Sequence, residues 1–229
     1  MKRLRPDLGF SLVELLCAIA VIAILMMVVV STLSRVKVHS QRSQSVANLK
    51  SIGQAIMLYS ADHQGVLPLM CSADRWGSPI WSTNVLPEYL DNNMTEVPGD
   101  RTINSVFVDP LLEFEKHGSL GDYAANAEVL RGFPSYPGED GLRLSKLAQA
   151  DTSRLMMVMA AENGGSDLLH GMWYILPIYL RGSLFDNPRA RPSTRDIGVV
   201  LGVFVDGHVA AVPEAEFAEN YRDYLFLEP

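Results

Sequence analysis

Cysteine is scarce: the 229-residue chain has two. Cys17 sits inside a long apolar run and Cys71 well beyond it, so a membrane placed over that run keeps them apart. Two such residues supply neither a disulfide framework nor a zinc site at ligand spacing, and Cys17 reads as a small packing residue. Basic residues are also few, 19 Lys and Arg against 26 Asp and Glu, for a net charge of −7. Without residues 1–9, which hold three basic residues and one acidic, the balance becomes 16 against 25, or −9. Phosphate binding needs a basic stripe, so nucleic acid is not expected as a partner. The balance suits an acidic extracytoplasmic domain.

Catalytic signatures are missing as well. There is no G-x-S-x-G, H-E-x-x-H, P-loop or Rossmann glycine pattern. The five histidines (39, 63, 117, 170 and 208) are scattered and stand away from metal-ligand spacing. His63 and His208 read as turn residues, the latter beside Asp206. No enzyme, catalytic residue or metal site is therefore expected, and no cofactor. Asp109, Glu139 and Asp140 are the carboxylates on offer to calcium, without the spacing of an EF-hand loop.

Proline is absent between Asp7 and Leu67, and glycine occurs there only at positions 9, 53 and 65. That interval opens on residues 10–30, an apolar run of 21 residues with one charge, Glu14. As a helix it spans about 30 Å, the thickness of a hydrocarbon core. A carboxylate there costs roughly 3 kcal/mol on insertion scales, so it needs a partner. Lys2, Arg3 and Arg5 precede the run. It is too long for a secretory signal peptide, and no A-x-A-like site follows it. A plain anchor leaves Glu14 unexplained.

The stretch Gly9-Phe10-Ser11-Leu12-Val13-Glu14-Leu15-Leu16 resembles the prepilin signal of type IV pilins and type II secretion pseudopilins. The resemblance implies that prepilin peptidase cuts between Gly9 and Phe10 and methylates the new terminus at Phe10. The cut creates an amine in or near the membrane, which Glu14 can offset in its own chain or a neighbour's, giving it an assembly and registry role. It also implies other pilin or pseudopilin subunits and an inner-membrane assembly platform as partners. The chain would sit in the bacterial inner membrane as a single pass, with its C-terminal domain in the periplasm. Flanking charges do not decide orientation, because Arg35, Lys37 and Arg42 balance the leader.

The spacing of Val46, Leu49, Ile52, Ile56 and Tyr59 predicts that the helix continues to about residue 62. Residues 39–45 form a polar collar before that stripe. Asp62-His63-Gln64-Gly65 and Pro68 supply the stop. Trp76, Trp81, Leu86, Tyr89 and Leu90 are expected to cover the core. Strands are predicted at 106–110, 155–161 and 172–180, the last demoted by Pro177. Two more, at 199–205 and 208–212, flank an Asp206-Gly207 hairpin turn with both residues expected at positive φ. Phe217, Tyr221, Tyr224 and Leu225 mark a closing helix.

Residues 48–68 and Phe204-Val205-Asp206-Gly207-His208-Val209 resemble a large bacterial group of pilin-like proteins, as does the structural element Gly121-Asp122-Tyr123-Ala124-Ala125-Asn126. Asp109 stands where that group commonly has cysteine, and Asp196 where it commonly has histidine. The expected fold is α+β and pilin-like, one long N-terminal helix on a small antiparallel sheet. The expected layout is leader 1–9, membrane and assembly helix 10–30, helical continuation 31–62 and globular domain 63–229. The expected function is a pseudopilus subunit. A type IV pilus subunit or a membrane-anchored binding domain are the alternatives.

Overall fold

A computed structural model describes residues 12–71, 80–132, 141–163, 170–172, 174–177 and 190–227. Trp76, Glu139 and Asp140 lie outside them, as do Gly9 and Phe10. Helix α1 runs from Leu12 to Asp62. The chain divides into two units, Met1–Gln41 and Arg42–Pro229.

In the first unit α1 shows apolar side chains to the outside on every face. Leu12, Leu15, Leu16, Ile19, Ile22, Leu25 and Met26 are all more than half exposed. Cys17 is exposed too, so within its own chain it is not the packing residue expected. A helix apolar all round belongs in lipid or against other helices.

The second unit is built on the rest of α1. Leu49, Ile52 and Ile56 are fully buried, and Val46 and Tyr59 pack at the margin. Gly53 shares that face because a Cβ there would lie 2.7 Å from Val203 Cγ2. The helix stops where expected: Gln64 and Gly65 take left-handed φ of 55° and 81°. His63 stacks on Tyr59 with ring centroids 3.8 Å apart.

Strands β1 (Met94–Val97) and β2 (Arg101–Asn104) form a separate hairpin. The main sheet comprises β3 (Tyr123–Asn126), β4 (Met156–Asn163), β5 (His170–Gly171), β6 (Tyr174–Ile175), β7 (Arg191–Pro192), β8 (Val199–Phe204) and β9 (Val209–Pro213). Its order is β6-β3-β4-β8-β9, with β5 and β7 on the far end of β4. Pairing is antiparallel apart from the short parallel pair β3/β6.

α2 is a single turn (Leu144–Leu147), and α3 (Glu214–Leu225) closes the chain. Val158, Ala160, Leu201 and Val203 join the core on the α1 side. Met156, Met159, Ala161, Val200 and Phe204 join another with Phe217, Tyr224 and Leu225 of α3. A register shift between Met156 and Val158 lets Met157 and Val158 both face α1, a bulge breaking the two-residue alternation.

Three expectations need correction. Residues 106–110 are not a strand: Asn104 Oδ1 accepts from the Val106 N–H and starts a 3-10 turn at Ser105–Phe107. The run 172–180 is not one strand: among its described residues only Tyr174–Ile175 form a strand, Pro177 lies in a 3-10 turn, and residues 173 and 178–180 are outside the described set. At Asp206-Gly207 only Gly207 has positive φ, +90°. The Gly207 N–H donates to the Phe204 carbonyl and the Phe204 N–H to the His208 carbonyl, which makes a three-residue loop, not a two-residue one.

Candidate functional site

Two places concentrate polar chemistry: the start of α1, and a buried charge cluster in the second unit. At the first, Glu14 occupies the first described turn of α1, exposed among apolar neighbours. Among the described residues no helix is long and apolar enough to cross a membrane. Those residues begin at Leu12 and so omit the start of the run.

The second place was missed by sequence reasoning, and it is centred on Arg195. Its Nε donates to Asp109 Oδ2 at 2.9 Å, and Nη2 reaches the carbonyls of Asp122 and Ala161 at 3.4 Å. Glu162 Oε2 lies 4.0 Å from Nη1. Asp109 is fully buried and also accepts from Ser45 Oγ at 3.0 Å and the Leu111 N–H at 3.1 Å. Because the Ser45 hydroxyl hydrogen goes to Asp109, Tyr123 OH is the donor across the 2.9 Å contact with Ser45. Burial and the Asp109 charge hold the Tyr123 phenol well above its usual range, so it stays protonated and can donate.

Asp122 accepts from the Asp109 and Gly118 N–H groups and pairs with His117 Nδ1 at 2.7 Å. Glu162 takes Arg191 and Ser193. On the α1 side Arg42 Nε lies 3.0 Å from Asp196 Oδ2, and the Asn48 amide donates to the Val108 carbonyl. Positions 42, 45 and 48 share a helix face, so the end of the polar collar is an anchor inside the fold. Ser45 and Asn48 are buried there.

Asp109 and Asp196, the two departures from the pilin-like pattern, thus each pair with an arginine, Asp109 with Arg195 and Asp196 with Arg42. Asp109 spends its carboxylate on Arg195, Ser45 and Leu111, an arrangement that does not suit a calcium ligand. Among the described residues no group of three or more His, Cys, Asp or Glu could hold a metal. Ser45, Asp109, Asp122 and Tyr123 are at most 0% exposed, out of a substrate's reach, so the cluster ties α1 to the sheet. Of the other residues singled out, His208 pairs with Asp206 on the exposed hairpin and stacks on Phe204, and His39 is exposed on α1. No motif announces Arg195; the local signal was the charged pair Arg195-Asp196 shortly before β8.

Asp196 is 2% exposed, and both its oxygens lack an aligned hydrogen bond despite the ion pair with Arg42. Burial, with Asp109 adding to it and Arg42 opposing, raises its carboxyl above the usual value. The fold therefore holds the Asp196 proton more tightly than the unfolded chain does. Its contribution is greatest below the unfolded value of about 3.9 and is lost as pH rises through the folded one. Asp196→Asn, which mimics the neutral form, should gain stability relative to the parent as pH rises from 3 to 7. Thermal unfolding of both chains across that range checks the sign, and a gain in the opposite direction refutes it.

Comparison with known proteins adds one finding. Residues 4–30 match the model of the prokaryotic N-terminal methylation motif. This motif is the prepilin-type signal of the type IV pilin and pseudopilin families. No curated protein and no solved structure matches the chain. The prepilin-type signal points to membrane association, implies cleavage by a prepilin peptidase and implies assembly with other pilin-type subunits. The matched stretch includes Gly9, Phe10 and Glu14 and none of the residues of the Arg195 cluster.

Proposed function

We propose that this chain is a structural subunit of a type II secretion-type pseudopilus. The prepilin-type signal at residues 4–30 carries the reading. The exposed apolar face of α1 and the α+β unit behind it support it. Prepilin peptidase cuts between Gly9 and Phe10 and methylates the amine of Phe10. Residues 10–30 hold the chain in the inner membrane as a single pass until it enters a filament through α1. Glu14 offsets the new amine, which neither the precursor nor a mispaired neighbour provides.

The role is structural, not enzymatic, because the densest polar cluster is sealed and serves the fold. A type IV pilus subunit shares the signal. Residues 72–229 contain no cysteine and so close no disulfide loop among themselves, which favours the secretion-type reading.

Mass spectrometry of the membrane fraction should find a mature chain that begins at methylated Phe10. Gly9→Val should leave full-length precursor. An uncut Met1 terminus in the parent chain, or a start near residue 31, contradicts the proposal.

A further inference from the structure

We infer that the free edge of β9, with the apolar groove beside it, is a docking site for an extended segment of a partner protein. That segment is apolar at alternate positions and basic at its ends. The Phe204 N–H donates to the His208 carbonyl, and the Glu214 N–H donates to the Gly198 carbonyl. Between them the register sets Val203 opposite Val209 and Leu201 opposite Ala211. Bonded and non-bonded pairs alternate in an antiparallel ladder, so the bonded pairs here are Gly202 with Ala210 and Val200 with Val212. The N–H and C=O groups of Val209 and Ala211 therefore point away from β8. Among the described residues no strand pairs with that edge. Proteins blunt such edges with lysine, proline or a bulge. Val209-Ala210-Ala211-Val212 keeps a regular register without any of these, and Pro213 comes only at its end. The edge is open.

The groove decides which side chains fit. Val209 and Ala211 pack on the α1 side of the sheet. On that side Gly53, Gln54, Met57 and Leu58 of α1 and Gly207 of the turn line the groove, with Leu58 55% exposed. In an added strand the residues opposite Val209 and Ala211 lie on the same face as these two. Apolar side chains there enter the groove and cover Leu58, while the backbone supplies the hydrogen bonds. Charge decides the occupant. Exposed acids flank the strand, Asp206 before it and Glu214 after it. Two copies of β9 paired antiparallel, Val209 on Ala211, set Asp206 opposite Glu214 at both ends, and like charges placed so repel. A second copy is thus the poorer occupant, and a strand with lysine or arginine at its ends is the better one. The inference goes beyond the filament reading and does not depend on it.

The test uses the full chain in detergent micelles and the synthetic peptide Lys-Thr-Val-Thr-Val-Thr-Lys, followed by fluorescence anisotropy. The parent should bind it at least about tenfold more tightly than a peptide with glutamate at both ends, or one N-methylated at both valines. Amide exchange at Val209 and Ala211 should slow when the lysine-ended peptide is added. Ala211→Pro removes only an outward N–H, so β8 keeps its bonds and the variant should unfold like the parent. Its affinity should fall at least about tenfold, as should that of Leu58→Gln, whereas Leu58→Met should bind like the parent. The exchange rates and the Leu58 variants decide the matter if the proline variant folds poorly. Absence of binding to the lysine-ended peptide, equal binding of the glutamate-ended one, or full binding by a folded Ala211→Pro chain overturns the inference. Parent dimers that Ala211→Pro separates would assign the edge to a second copy and overturn it too.

Discussion

Arg195→Met is expected to destabilise the second unit by about 3–5 kcal/mol, the usual cost of removing one partner from a buried ion pair. The arginine is 12% exposed and its main partner, Asp109, fully buried. Without the guanidinium the Asp109 carboxylate keeps only Ser45 and the Leu111 N–H, and the Asp122 and Ala161 carbonyls each lose one of two donors. Asp109 also stands between Ser45 of α1 and the sheet, so the loss loosens the seat of the helix. The companion variant Asp109→Asn preserves an acceptor for Ser45 and Leu111 but carries no charge.

Combining Asp109→Asn with Arg195→Met should therefore recover a large part of the loss, since no charge is then stranded. Thermal and urea unfolding of the four chains in detergent, read as a double-mutant cycle, measure the coupling. Strict additivity of the two substitutions would show that the pair is not the origin of the cost.

Glu14→Ala is expected to leave cutting intact and not to impair insertion, but to reduce incorporation into filaments by about 100-fold. The figure follows from roughly 3 kcal/mol for an uncompensated charge in an apolar setting, at tenfold per 1.4 kcal/mol. The charge stranded in the variant is the amine of Phe10, which exists only after the cut. Removal of the carboxylate should ease insertion of the monomer, because an apolar run without a charge inserts more readily. Opposite effects on insertion and assembly are the signature of a pairing role. Quantitative immunoblots of membrane and sheared-filament fractions separate the two. Equal filament yield from both chains would remove Glu14 from the assembly contact.

The helix, the central strand at 156–163, the pairing of β8 with β9 and the closing helix were legible in sequence because each is set by spacing of apolar residues. The stop after Asp62 was legible for a similar reason, as Gly65 has a required conformation. Other features were not. Residues 106–110 have strand composition, but Asn104 caps the next N–H and turns the chain. The 172–180 run is apolar throughout, and periodicity cannot say that among its described residues the strand is limited to Tyr174–Ile175. Asp206-Gly207 signalled a turn but not its length, which depends on how Phe204 and His208 close it.

The candidate site divides in the same way. Gly9, Phe10 and Glu14 lie within a short continuous stretch, residues 4–30, that matches the N-terminal methylation motif as sequence, so that motif was legible in the chain alone. Asp109 and Asp196 seemed in sequence to be only lost ligand positions. The fold brings Asp109 to Arg195 across 86 residues and Asp196 to Arg42 of α1, and so makes them ties between helix and sheet. Local conformation and membrane affinity come from residues within a few positions of one another, which a sequence displays directly. The partner of a buried charge is chosen through space, after α1 has met the sheet, and only the tertiary structure decides it.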